Sequence, residues 1–345
     1  MRLPLLLSLL SLAACGDSGS SSNDAGADAP PDTTVSDAPD ITLADRMAAA
    51  EMTATTNALC TAITPFYWEI GDVTGKLDGA ELHGSAAPAD QISATSIMSI
   101  ASASKWLFGA YVVEKQGGMA DASAVPFLNF TSGYSGLAGD TCPNTTVDGC
   151  LTGAAGMVVA GSVGKFDYNG AHLQKLASNL GLGADTSAEL ATEVKSQIGT
   201  DIAFTYSQPQ PAGGVVTTAT QYAKFLRKLL VGSATPLAIA TQLGAESVCT
   251  NKAVCPEEAV YSPIPRAGVN EAWHYGLAHW IEDDPGVGDG AFSSAGSFGF
   301  YPWVDKARTL YGVLARRNDT GGEGYASAAC GRLIRKAWVT GGAQL

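Results

Sequence analysis

The chain has 345 residues, 46% of them apolar and 15% charged, with 20 Lys and Arg against 33 Asp and Glu for a net charge of −13. This is a globular composition, rich enough to bury a sizeable core. There is no dense Lys/Arg run, Arg316-Arg317 being the only Arg pair, and that excludes the basic footprint of a nucleic-acid binder.

In chain order, Met1-Arg2 gives a positive start and Leu3 to Leu12 an apolar stretch far shorter than the ~20 residues of a membrane span, so a signal peptide over residues 1–14 is expected. It ends in Leu12-Ala13-Ala14-Cys15, which resembles the bacterial lipobox. That resemblance implies lipidation of Cys15, with palmitate, and a location in the bacterial cell envelope. Gly16 after the cysteine, rather than Asp, points to the outer membrane of a Gram-negative source. Residues 15–42 are Ser, Asp, Ala, Pro and Thr with almost no large apolar side chain. They read as a disordered acidic tether. Asp17, Asp24, Asp28, Asp32, Asp37 and Asp40 supply about half of the net charge, so the acidity says little about a substrate.

The domain spans 43–345. A helix is expected from Leu43 to about Ile63. Phe66 to Asp72 and Leu77 to His83 read as a hairpin, and Ser93 to Ile100 as a further extended segment. Ser102 to Lys115 is an apolar helix stopped by Gly117-Gly118. Helices are expected over Ala171–Leu180, Ser187–Gln197 and Thr217–Val231. Strands follow at Trp273–Glu282, Gly296–Val304 and Thr309–Ala315, and a helix over Ala326–Val339 closes the chain. The fold class is α+β: an antiparallel sheet built from both chain ends, flanked by helices, with a helical insertion.

Besides Cys15 there are six cysteines, an even count that suggests disulfides in an exported protein. Fifteen pairings are open. Cys142 with Cys150, and Cys249 with Cys255, would each staple a local loop, leaving Cys60 with Cys330. The spacings are not CxxC and no His accompanies them, so no metal is expected.

Ser102-Ala103-Ser104-Lys105 is an SxxK string opening a helix. Residues i and i+3 share a helical face, so the lysine amine lies one turn from the hydroxyl. Free N–H groups in the first turn favour developing negative charge. Serine is a weak nucleophile that needs a base, and a desolvated lysine can serve. The sequence Trp106-Leu107-Phe108-Gly109-Ala110-Tyr111 continues the helix as a core element, where an ammonium is costly unless it has a partner.

Five segments in order resemble the serine β-lactamase and penicillin-binding-protein superfamily, in its class C and esterase-like branch. Ile100 to Lys105 is similar to the first motif and Phe127 to Gly133 to the segment after the nucleophile helix. Phe166-Asp167-Tyr168-Asn169-Gly170 is similar to Tyr-x-Asn, Pro211 to Thr218 to the Gly-Gly hinge, and Ser294 to Gly299 to the third motif. The resemblance implies a β-lactamase/transpeptidase-like fold and an acyl-enzyme on Ser102. Lys105 and Tyr168 would act as general base and acid, and the backbone N–H groups of Ser102 and Ser297 as oxyanion hole. It implies that Ser294, Gly296 and Gly170 line the substrate pocket; Trp106 and Tyr301, near these motifs in sequence, are either further pocket residues or core aromatics. The terminal helices of that fold pack side by side, which supports Cys60 with Cys330. Two departures stand out: Gly170 where β-lactamases carry Asn, and Ser294 where they carry a cation or histidine.

No Gly-x-Ser-x-Gly elbow occurs, and His83, His172, His274 and His279 show no i,i+4 pair for helical zinc. His172, one turn after Tyr168, is a further candidate for the site. The expected function is a monomeric serine hydrolase without cofactor, of carboxylesterase, D-aminopeptidase or β-lactamase-like type, acting on a small-molecule ester or amide. The alternative is a catalytically weak binding or scaffold lipoprotein of the envelope.

Overall fold

The computed structural model describes residues 40–137, 142, 145–264 and 271–345. The expected signal peptide, Cys15 and the tether up to residue 39 lie outside the described residues. Helix α1 (Leu43–Thr56) starts at a capping box. Thr42 Oγ1 accepts from Asp45 N at 3.1 Å, and Asp45 Oδ2 accepts from Thr42 N at 3.0 Å. Asn57 ends it and caps the short α2 (Ala58–Thr61), so the expected single helix to Ile63 is two. Strands β1 (Phe66–Asp72) and β2 (Gly75–Leu82) form the hairpin, turned where Asp72 Oδ1 accepts from Thr74 N at 2.7 Å.

The chain then gives β3 (Met98–Ser99), a tight 3₁₀ turn over Ala101–Ala103, and α3 (Ser104–Lys115), which is buried from Ser104 to Val113. The middle contributes α4 (Val125–Leu128), β4 (Phe166–Asp167), α5 (Ala171–Ala177), α6 (Ser187–Ile198), β5 (Thr205–Tyr206), β6 (Val215–Thr217), α7 (Ala219–Arg227), β7 (Val248–Cys249) and β8 (Ala259–Tyr261). Strands β9 (His274–Tyr275), β10 (Trp280–Glu282), β11 (Ala291–Ser293), β12 (Tyr301–Val304) and β13 (Tyr311–Ala315) and helix α8 (Gly324–Thr340) complete the fold.

The main sheet has the order β2-β1-β13-β12-β11-β10-β9-β7, antiparallel throughout, so the first hairpin pairs with the last strand and both chain ends build one sheet. Strands β3, β6 and β5 form a small antiparallel sheet, and β4 pairs with β8 in parallel. Alternation along β12 and β13 separates two faces. Tyr301 and Trp303 meet α8, where Arg335 lies 4.9 Å over the Trp303 ring. Tyr311 meets α7, with Arg227 at 5.9 Å from its ring centre.

Three expected strands are shorter than their apolar runs. Of Ser93–Ile100 only Met98 and Ser99 pair, with Thr217 and Val216. Trp273–Glu282 is split by a turn containing Ala278 at φ 61°, which no strand accommodates. Residues 296–300 are a turn, with Gly296 N donating to Phe300 O at 2.8 Å.

Disulfides join Cys60 to Cys330, Cys142 to Cys150 and Cys249 to Cys255. The first ties α2 to α8 across 270 residues, beside the bonds from Arg46 Nη1 to Trp338 O and Val339 O at 2.8 and 3.0 Å. Closing so long a loop removes much unfolded-chain entropy. A Cys60→Ala/Cys330→Ala protein should lose roughly 2–5 kcal/mol of stability in urea denaturation. An unchanged midpoint would contradict this role.

Candidate active site

Ser102 sits at the centre of the 3₁₀ turn that feeds α3, and five hydrogen bonds fix that turn. Ile100 N donates to Val215 O at 3.1 Å, tying the turn to β6. Ser104 Oγ donates to Ala101 O at 2.6 Å and accepts from Val215 N at 3.1 Å. Tyr222 of α7 donates its hydroxyl to Ala103 O at 2.8 Å. Ser294 Oγ donates to Ser102 O at 3.2 Å from the end of β11. Ala101, just before Ser102, adopts φ 45°, a left-handed conformation costly for a residue with a Cβ. Such strain persists only where the surroundings over-determine it, and these bonds do so.

Lys105, one turn on, is fully buried. Its Nζ donates to Ser102 Oγ at 2.9 Å and to Ala212 O at 2.8 Å, and lies 4.8 Å from the centre of the Tyr168 ring. Tyr168 follows β4, its N–H bonded to Tyr261 O at 3.0 Å, and its ring stacks on Trp280 with centroids 5.2 Å apart. A desolvated amine over an aromatic face meets two oxygen acceptors here, which offsets the cost of burying it. It delivers the amine to the serine hydroxyl.

Above these residues opens a cavity of about 390 Å³. Ser102, Tyr168, Asn169 and Ser297 contribute polar groups to it. Leu137, Tyr261, Pro263 and Ile264 form one apolar wall, and Gly322, Gly324 and Tyr325 another. Ser297 reaches the cavity because Gly296 lets its turn approach the Ser102 turn; a Cβ on Gly296 would strike Ile100 O. The turn is held in place by Ser297 Oγ accepting from Gly322 N, and Ser297 O from Glu323 N, both at 2.9 Å.

Ser102, Lys105, Tyr168 and Ser297 are thus brought together. Other expected pocket residues are placed differently. Gly170 is buried at the start of α5, and its neighbour Asn169 lines the cavity instead, with Nδ2 donating to Leu137 O at 3.2 Å and Oδ1 accepting from Leu137 N at 3.1 Å. Ser294 and Gly296 are buried behind the cavity surface and support the Ser102 turn. Trp106 does not shape the pocket. Its position on α3 turns it into the core, stacked on His279 with centroids 5.7 Å apart. Tyr301 is also a core residue, because strand alternation points it at α8. There its hydroxyl donates to Glu282 Oε1 at 2.6 Å and accepts from Arg335 Nη1 at 2.9 Å. His172 faces away from the cavity: Nδ1 bonds Ser132 Oγ at 2.7 Å, Nε2 bonds Asp167 O at 2.8 Å, and the ring stacks on Phe130. Burial holds its pKa down at about 4.

The roles of Ser104, Tyr222 and Ala212 O escaped sequence reasoning. Ser104 was visible inside the SxxK string, but its pairing with Val215 is a contact 111 residues distant. Among the described residues no group of His, Cys, Asp and Glu could hold a metal ion, and no helix is long and apolar enough to cross a membrane.

No protein-family model matches the chain, and no curated protein does. Solved structures do match. D-amino acid amidase from Ochrobactrum anthropi SV3, in complex with L-phenylalanine amide, aligns at TM-score 0.58 and 11% identity over 86% of this chain and 99% of its own. A candidate β-lactamase from Bacteroides dorei DSM 17855 aligns at TM-score 0.57 and 18% identity over 79% and 93%. The chain has the β-lactamase and penicillin-binding-protein fold. A penicillin-binding protein from Bacillus halodurans, at TM-score 0.50 and 14% identity over 84% and 98%, is similar as well. In this fold the terminal hairpin and closing strands form the sheet, and the cavity opens where the α3 turn meets the β11–β12 turn.

Proposed function

We propose that this protein is a serine hydrolase that forms an acyl-enzyme on Ser102. The observation that carries the reading is the 2.9 Å bond from the buried Lys105 Nζ to Ser102 Oγ at the floor of a substrate-sized cavity. Ser102 Oγ would attack an acyl carbonyl while its proton passes to the Lys105 and Tyr168 pair. The carbonyl oxygen would take negative charge opposite the N–H groups of Ser102 and Ser297. Collapse expels the alcohol or amine, which takes a proton back, and water then cleaves the acyl-enzyme by the same steps. The fold likeness to an amidase and to penicillin-binding proteins supports this chemistry.

Esters are the favoured substrates over β-lactams. Gly170 offers no side-chain amide, and the amide of Asn169 is engaged with the Leu137 backbone. Ser294 has no charge, and its hydroxyl is spent on Ser102 O. Losing a neutral donor, worth about 1 kcal/mol, and a charged one, about 1.5–3 kcal/mol, costs roughly two orders of magnitude in transition-state binding. The test is kcat/KM for p-nitrophenyl acetate and for a cephalosporin on one preparation. The ester should lead by about 100-fold or more. A cephalosporin rate equal to the ester rate would overturn the assignment.

The same reading keeps the expected lipid anchor at Cys15 as part of the proposal. Cys15→Ala should then release the protein into the soluble fraction.

A further inference from the structure

Two cavities share one lining residue. The cavity over Ser102, about 390 Å³, and a second of about 790 Å³ between α8 and the loops at 286–289 and 305–307 both have Tyr325 in their lining. The second is mainly apolar, with Leu59, Val287, Ala329, Leu333 and Val339 in its walls.

Tyr325 lies half-buried in the first turn of α8 and is pinned by its hydroxyl. That hydroxyl donates to Glu271 Oε1 at 2.6 Å. Glu271 is itself buried and receives Arg332 Nη1 and Nη2 at 2.8 and 3.0 Å and Trp273 Nε1 at 2.7 Å. Arg332 lines the second cavity. The phenol therefore bonds the carboxylate that also holds the guanidinium of the second cavity, while the same residue lines the first. Burial and then the bond to Glu271 push its pKa up to about 12, so it remains a protonated donor.

We infer that Tyr325 is a specificity-determining partition: pinned by the Glu271–Arg332 pair, it stops the Ser102 cavity short and separates it from an apolar compartment sized for an aliphatic chain. The partition stands on geometry alone; its effect on substrate length rests on the hydrolase reading above. With the partition in place the enzyme takes short substrates. Without it the two spaces join, and each methylene that enters the apolar compartment strengthens binding about fourfold at full burial.

The test uses the full chain carrying Ser102→Ala, so that hydrolysis does not interfere, and a dansyl amide with a dodecyl chain as fluorescent probe. Tyr325→Ala in that background should bind the probe at least about tenfold tighter, whereas Tyr325→Phe, which keeps the ring but loses its bond to Glu271, should gain less than Tyr325→Ala. If Tyr325→Ala does not fold, Tyr325→Leu is read in the same way. An unchanged Kd overturns the partition. A second arm, with Ser102 intact, follows the ratio of p-nitrophenyl decanoate to acetate turnover, which should rise at least about tenfold in Tyr325→Ala. An unchanged ratio in an active enzyme overturns the specificity role. Tighter probe binding with no ester turnover in any variant sustains the partition and overturns the hydrolase reading.

Discussion

Lys105→Met should lower the rate of Ser102 acylation by about three orders of magnitude while leaving the protein folded. Methionine is unbranched and flexible like lysine but has no proton to give or take. General acid–base assistance contributes about 10²–10⁴-fold, and Lys105 is the amine bonded to Ser102 Oγ at 2.9 Å. Stability should not fall in step. Exchanging a fully buried amine for an apolar chain removes a desolvation cost, although Ser102 Oγ and Ala212 O each lose a donor. Lys105→Arg separates charge from proton transfer, because a guanidinium stays protonated at working pH. It should be nearly as slow as Lys105→Met. An arginine variant keeping more than about a tenth of the parent kcat/KM would show that the lysine supplies only charge, and that Tyr168 carries the proton. Tyr168→Phe, which retains the ring beneath the ammonium, is the complementary measurement.

The second large effect is a loss of stability in mild acid. His172 and His279 are both fully buried, and burial holds both rings neutral, with pKa values down at about 4. His279 Nε2 accepts from Gly244 N at 3.1 Å while Nδ1 lies 3.0 Å from Leu277 O, so the neutral ring is bonded on both sides. The nearby Lys105 adds to the depression at His172. In the unfolded chain each ring titrates near 6.5. Between pH 6.5 and 4 the unfolded state therefore binds about two more protons, and stability falls as pH falls. The contribution is complete above the unfolded value. By pH 4 about 3 kcal/mol is lost per histidine. His274 works in the opposite direction, its pKa raised by the bond to Asp283, but that pair is well exposed and contributes little. Urea denaturation across pH 7 to 4 measures the sum. A stability flat over that window would contradict the two neutral, buried rings.

Much of this arrangement is legible in the sequence where it is local. The i,i+3 spacing of Ser102 and Lys105 gives their contact directly, and the hairpin of β1 and β2 follows from an aromatic run and an Asp-initiated turn. The apolar continuation after Lys105 foretells a buried helix. What the sequence hides is which side of an element a residue faces when two sides are buried. Trp106 and Tyr301 are near the motifs in sequence, yet both point into the core, because α3 and β12 are covered all round. The cavity walls are hidden too. Leu137, Tyr261 to Ile264 and Gly322 to Tyr325 come from three separate segments, and nothing in their spacing announces that they converge. Cys60 with Cys330 was reachable by elimination among six cysteines, but the contact that permits it, α2 beside α8, belongs to the tertiary fold.

The most direct test of the account is covalent labelling. The full chain is incubated with a fluorophosphonate probe, its intact mass is measured, and the modified peptide is mapped. A single adduct is expected on the peptide containing Ser102, absent from Ser102→Ala. Full labelling of Ser102→Ala, or no adduct on the parent protein, would contradict it.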